Sequence, residues 1–227
     1  MSPARRPQPA RRVSPAAPPS GALYRIGRRP NPMALPPPEF TGGERFDDPL
    51  GRFRVLYAAE QRLACFVETL AVFRPPLALI EQLRPFWRGR VPPRLGTVPA
   101  DWHRQRAIVQ FRIGQRQRWL DLRAAATYQA LRVELAATIL RLGLPDLDVS
   151  GVRGPSRELT QAIARWVYEH GYHGMVYRSR FDDAFDCWAI FEGAATIPDS
   201  APESIKRTGP DLRAAAALLG LRLRPGS

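Results

Sequence analysis

The stretch from Gly42 to Phe73, GGERFDDPLGRFRVLYAAEQRLACFVETLAVF, decides how the chain folds. From Arg54 the run VLYAA alternates β-branched, aromatic and small residues as a strand requires. From Glu60 onward Leu63, Phe66, Val67, Leu70 and Phe73 recur at helical spacing. The reading predicts a strand ending near Tyr57 and a helix directly after it. At about 100° per residue, Glu68 falls opposite the Leu63, Phe66 and Leu70 stripe, beside Ala64, Cys65, Ala71 and Val72. It is the one charged residue between Leu63 and Phe73. A carboxylate on a helix that is apolar or small nearly all round is costly to bury unless a cation, a donor or a ligand meets it. Glu68 is therefore a candidate site residue. Arg45 is the second: Gly42 and Gly43 allow close backbone approach to a ligand, Phe46 can anchor the loop, and Asp47 and Asp48 are the alternative partners of its guanidinium.

Upstream, ALYRIGR reads as a strand, with Tyr24 and Ile26 on one face and Arg25 on the other. Arg25 is either an edge-strand arginine in solvent or an anion clamp, since a guanidinium offers a fixed fork of donors. Downstream, PPLALIEQLRPFW predicts a helix begun by Pro75 and Pro76; Pro85, Pro92, Pro93 and Pro99 then break the chain before the strands RAIVQFRI and RWLDL. A helix is expected over 124–142, ended by Gly143 and Pro145, and another after an N-cap at Ser156, ending before Gly171. HGMVYRS then reads as a strand delivering Ser179 at its end, FDCWAIFE as its neighbour, and ESIKR with DLRAAAALLGLRLR as a strand, a helix and a last strand. The short strands lack regular intervening helices, so the expected class is a mixed α+β domain and not a doubly wound sheet. No G-x-G-x-x-G is present.

The chain has 227 residues, 44% of them hydrophobic, enough for one core. No apolar run approaches the roughly 20 residues of a membrane span and the arginines near Met1 precede no apolar region, so a cytoplasmic protein without a membrane segment is expected. Cys65 and Cys187 lie in apolar runs and read as core residues. His170 and His173 lack further ligands in register, so no metal is assigned. The net charge of +13 is almost wholly arginine, Lys206 being the single lysine. Residues 1–22, with Arg5, Arg6, Arg11 and Arg12 among Pro, Ala and Ser, read as a disordered basic tail, leaving a domain over 23–227. Such a tail attracts phosphate backbones, so a non-catalytic nucleic-acid-binding protein is one reading, though no zinc-finger spacing or basic recognition helix accompanies the charge.

Four runs resemble the RES domain family: LYRIGR (Leu23 to Arg28), GGERFDDP (Gly42 to Pro49), VLYAAEQRLACFVETL (Val55 to Leu70) and GYHGMVYRSRF (Gly171 to Phe181). The resemblance implies a curved, split β core like that of ADP-ribosyltransferases, around a cleft for NAD. It makes NAD the substrate, Arg25 and Arg45 anion-binding, and Ser179 a pocket residue that positions substrate. It also implies a small DNA-binding antitoxin as partner. Cleaving the nicotinamide glycosidic bond builds an oxocarbenium-like ribose beside a pyrophosphate, so the reaction needs a carboxylate and cations. Glu68 supplies the first, Arg25 and Arg45 the second, and Tyr57 a stacking face. The acceptor is open between water and phosphate, with transfer of ADP-ribose to a protein as the alternative. A hydrolase triad at Ser179 is not expected, because no G-x-S-x-G elbow surrounds it.

Overall fold

A computed structural model describes residues 13–87 and 95–224. In chain order the elements are β1 (Pro15–Ala16), β2 (Leu23–Arg28), β3 (Val55–Ala59), α1 (Arg62–Leu70), α2 (Leu77–Leu83), β4 (Gly96–Val98), β5 (Arg106–Ile113), β6 (Trp119–Asp121) and α3 (Ala125–Glu134). There follow α4 (Ala136–Arg141), α5 (Val149–Arg153), α6 (Arg157–Glu169), β7 (Gly174–Arg178), β8 (Asp186–Phe191), β9 (Thr196–Pro198), β10 (Glu203–Ser204), α7 (Pro210–Leu218) and β11 (Leu221–Leu223). This is the mixed α+β class that the sequence predicts.

One sheet runs β1-β6-β7-β8-β3-β2-β5-β10, with β9 also on β5, and a small parallel pair joins β11 to β4. Most neighbours are antiparallel, but β6 and β7 are parallel. Strand alternation divides the interior into two layers. Val55, Tyr57 and Ala59 of β3, Cys187, Ala189 and Phe191 of β8, and Met175 and Tyr177 of β7 face the helices. Leu56 and Ala58, Trp188 and Ile190, and Val176 face the other way, packing with Leu23, Phe111 and Trp119. Because the period is two, one register fixes the face of every side chain in these strands. Gly174 opens β7 at φ +152°, where an added Cβ would lie 2.2 Å from the Ala189 carbonyl oxygen. Only glycine lets β7 lie this close to β8.

Two expectations need correction. The tail predicted over 1–22 ends earlier, since residues 13–22 are part of the domain. Pro15 and Ala16 pair with Leu120 and Trp119, the Ser14 amide donates to Thr127 Oγ1 at 3.1 Å, and the Asp121 amide donates to the Ser14 carbonyl at 2.9 Å. Strand addition uses backbone groups, which composition does not report. Residues 1–12 lie outside the described residues, as do Pro92 and Pro93. The helix expected over 124–142 is broken at Leu135, whose ψ of 13° leaves the helical range, so that α3 buries Leu131 and α4 buries Ile139.

The corrected boundary makes a prediction. Deleting residues 1–12 removes none of the contacts just named and should leave the unfolding midpoint unchanged. Deleting 1–22 removes a strand and two hydrogen bonds and should cost roughly 2 kcal/mol, at about 1 kcal/mol per bond. Denaturant titration of both truncations checks this, and equal midpoints would refute the boundary.

Candidate functional site

A cavity of about 400 Å³ opens between α1 and the centre of the sheet. Its helical wall is Cys65, Glu68, Thr69 and Val72, the spacing of one helix face. The sheet side is Ile26 of β2, Tyr57, Ala58 and Ala59 of β3, Tyr177 of β7 and Cys187 of β8; Glu44 and Arg45 close one end. The face opposite the Leu63, Phe66 and Leu70 stripe is thus the one that meets the cavity, as the periodicity predicts.

Glu68 is half-buried, and Ser179 Oγ donates to its Oε1 at 2.6 Å. Ser179 is itself buried, directly after β7, where its Oγ accepts from the Phe181 amide at 3.1 Å and its amide donates to the Phe185 carbonyl at 2.9 Å. The hydroxyl hydrogen is therefore committed to the carboxylate. Burial pushes the Glu68 carboxyl up, against the Ser179 hydrogen bond and the charges of Arg45 and Arg180, which favour the anion. Neighbouring thiols do not compete for its role. Burial pushes Cys65 up to about 12 and Cys187 well above the ordinary thiol range, so both stay protonated.

Arg45 reaches the cavity from a loop that the fold ties down at several points. Asp47 Oδ2 accepts from the Gly42 and Glu44 amides, both at 3.0 Å, and Tyr57 Oη donates to Asp47 Oδ1 at 2.9 Å while accepting from the Phe46 amide at 3.0 Å. Gly42 turns the loop at φ +86°. From behind, buried Gln161 of α6 donates to the Gly42 and Glu44 carbonyls, each at 3.0 Å. Arg45 pairs with neither aspartate, for Asp47 holds the loop and Asp48 pairs with Arg52 at 2.8 Å. Its guanidinium instead donates to the Arg153 and Gly154 carbonyls at 3.2 and 3.3 Å and to the Val152 carbonyl, where α5 ends in unpaired carbonyls.

Tyr57 borders the cavity with its ring, and its hydroxyl holds the loop. Arg25 borders the cavity too, yet it shares the Leu23 face of β2, and each of its three nitrogens donates to a carbonyl: Nε to Pro32 at 2.8 Å, Nη1 to Tyr57 at 3.0 Å, Nη2 to Ala34 at 3.5 Å. Burial pushes its guanidinium down to about 10. The structure thus joins Arg45, Glu68 and Tyr57 at one cavity, sets Ser179 behind Glu68 as its buried hydrogen-bond donor in place of the expected substrate-positioning pocket residue, and gives Arg25 the task of fastening the loop after β2. Sequence reasoning missed Tyr177, buried against the cavity with its ring 4.6 Å from that of Phe46. Its signal was available, for the run HGMVYRS reads as a strand to Ser179, and residues two apart on such a strand share a face.

A family model described as the RES domain matches residues 22–213. Among curated proteins none matches the chain in sequence. Among solved structures, a chain of the M. tuberculosis MbcT–MbcA toxin–antitoxin complex is similar at a TM-score of 0.58 and 12% identity, over 90% of this chain and 92% of that one. At that identity the likeness is one of fold.

Proposed function

The chain belongs to the RES domain family, and from that premise we propose that it degrades NAD by breaking the bond between nicotinamide and ribose, as the toxin of a toxin–antitoxin pair. The observation that carries this reading is the 2.6 Å hydrogen bond from Ser179 to Glu68 on the wall of a 400 Å³ cavity, with Arg45 at its end. As the glycosidic bond breaks, its electron pair moves onto the nicotinamide ring and neutralises it. The ribose is left as an oxocarbenium-like cation. The Glu68 carboxylate, held in place by Ser179, stabilises that cation, and in a partly desolvated cavity the attraction is stronger than in water. Tyr57 and Tyr177 offer ring faces beside the departing base. Water or phosphate then attacks the ribose and forms the new C–O bond, any proton on the attacking oxygen passing to solvent, and the product is ADP-ribose or its phosphorylated counterpart. The likeness to a chain from a toxin–antitoxin complex supports an antitoxin as partner; that this antitoxin is a small DNA-binding protein, and that the NAD consumed is cytoplasmic, are parts of the proposal.

The test is product analysis with and without phosphate, combined with a pH profile. Glu68 must be ionised to act, and its carboxyl is raised, so activity falls on acidification at a pH above the ordinary carboxylate range. Ser179→Ala removes a hydrogen bond that favours the anion, so the acid limb should move further toward neutral pH. A limb that stays in place in Ser179→Ala would contradict the assigned role.

A further inference from the structure

Arg74 and Arg180 come from distant parts of the chain and meet at one ring. The guanidinium carbon of Arg74 lies 5.7 Å, and that of Arg180 5.0 Å, from the centroid of Phe181. Both arginines are exposed, and neither forms an ion pair among the described residues. With no carboxylate paired to either, both guanidinium forks keep donors open to an anion that approaches the ring. Neither arginine nor Phe181 lines the Glu68 cavity itself, but the chain and a pair of hydrogen bonds tie them to its wall. The Phe181 amide donates to Ser179 Oγ, which donates to Glu68, and Arg74 follows Val72 of the cavity wall by two residues. The charge of Arg180 also bears on Glu68 and Arg45. Meanwhile the guanidiniums that the sequence assigns to the anion, Arg25 and Arg45, have carbonyl partners.

We propose that Arg74 and Arg180, stacked on Phe181, form an anion subsite at the mouth of the Glu68 cavity that holds a phosphoryl group, either the pyrophosphate of the dinucleotide or the free phosphate acceptor. The proposal rests on the NAD-cleaving reading and gives that site its binding residues for phosphate. A guanidinium pair suits the task because each planar fork can donate two parallel hydrogen bonds to phosphoryl oxygens.

The test is calorimetric binding of three probes, NAD, nicotinamide riboside and inorganic phosphate, to a Glu68→Gln host, which should consume NAD at least about a hundredfold more slowly than the wild type. Each is compared with the same host carrying Arg74→Gln and Arg180→Gln. Both side chains are exposed, so the variant should fold. If pyrophosphate is the anion, the double substitution weakens NAD at least tenfold and leaves nicotinamide riboside unchanged. If free phosphate is the anion, phosphate weakens at least tenfold and NAD does not. The pair Arg74→Lys and Arg180→Lys should recover only part of either loss. Affinities for NAD and phosphate that both stay within about twofold would overturn the proposal, as would an equal loss for nicotinamide riboside. An unsubstituted host that binds neither NAD nor nicotinamide riboside would overturn the NAD-cleaving reading, and the subsite with it.

Discussion

Glu68→Gln should lower NAD cleavage by a factor of at least about a hundred, a loss of about 3 kcal/mol of transition-state stabilisation, in a protein that is no less stable than the wild type. The amide keeps an oxygen to accept the Ser179 hydrogen bond and removes the charge that would oppose the oxocarbenium ion. The stability half of the prediction follows from the direction of the pKa shift. The Glu68 carboxyl is raised in the folded state, chiefly by burial, so protonation favours folding. Its contribution to stability is present below the ordinary carboxylate pKa and is lost as pH rises through the higher folded value. At neutral pH the ionised side chain therefore costs stability, and a neutral isostere relieves that cost. Thermal midpoints at pH 7 and at pH 4 check the sign: the variant's advantage should shrink on acidification. A site made more stable by removal of a charge that the proposed reaction needs would be one that trades stability for activity. Wild-type turnover in the variant would remove Glu68 from the mechanism.

Arg45→Ala should fail on both counts. The guanidinium donates to the carbonyls of Val152, Arg153 and Gly154 and brings the loop from Gly42 to Asp48 against the end of α5. Hydrogen bonds from a charged donor are worth roughly 1.5–3 kcal/mol, and the three here share one group, so a loss of about 3 kcal/mol in unfolding free energy is expected. Activity should fall at least tenfold as well, since Arg45 closes the cavity and its charge favours ionised Glu68. Arg45→Lys keeps the charge but cannot span three carbonyls, so it should recover activity better than stability. Urea titration alongside turnover checks the split. Equal recovery of both would show that the fork geometry does not matter.

Much of the site was legible because its residues violate their local pattern. Glu68 is a charge on a helix that is otherwise apolar or small after Arg62, and the 3.6-residue period places it on the cavity face. Ser179 was legible through its place after a strand, though its partnership with Glu68 was not, because the two are 111 positions apart and meet only through the order of the sheet. Arg25 shows the limit of alternation. The period correctly separates it from Tyr24 and Ile26, but two of its three carbonyl partners belong to the loop after β2, whose return path has no periodic signal, and the third is Tyr57 of β3. Gln161 was unreadable for a related reason. It looks like an ordinary polar helix residue, and only tertiary packing shows that it is buried and holds the loop that carries Arg45. The strand at Pro15–Ala16 was hidden because a backbone-paired edge asks little of its side chains.

The most direct measurement is release of nicotinamide from NAD by the purified protein at neutral pH, run beside Glu68→Gln and followed by chromatography of the products. The account predicts many turnovers by the wild type, with nicotinamide and an ADP-ribose product formed in equal amounts, and at least a hundredfold less from the variant. Intact NAD after prolonged incubation with a wild-type protein that unfolds cooperatively would contradict it.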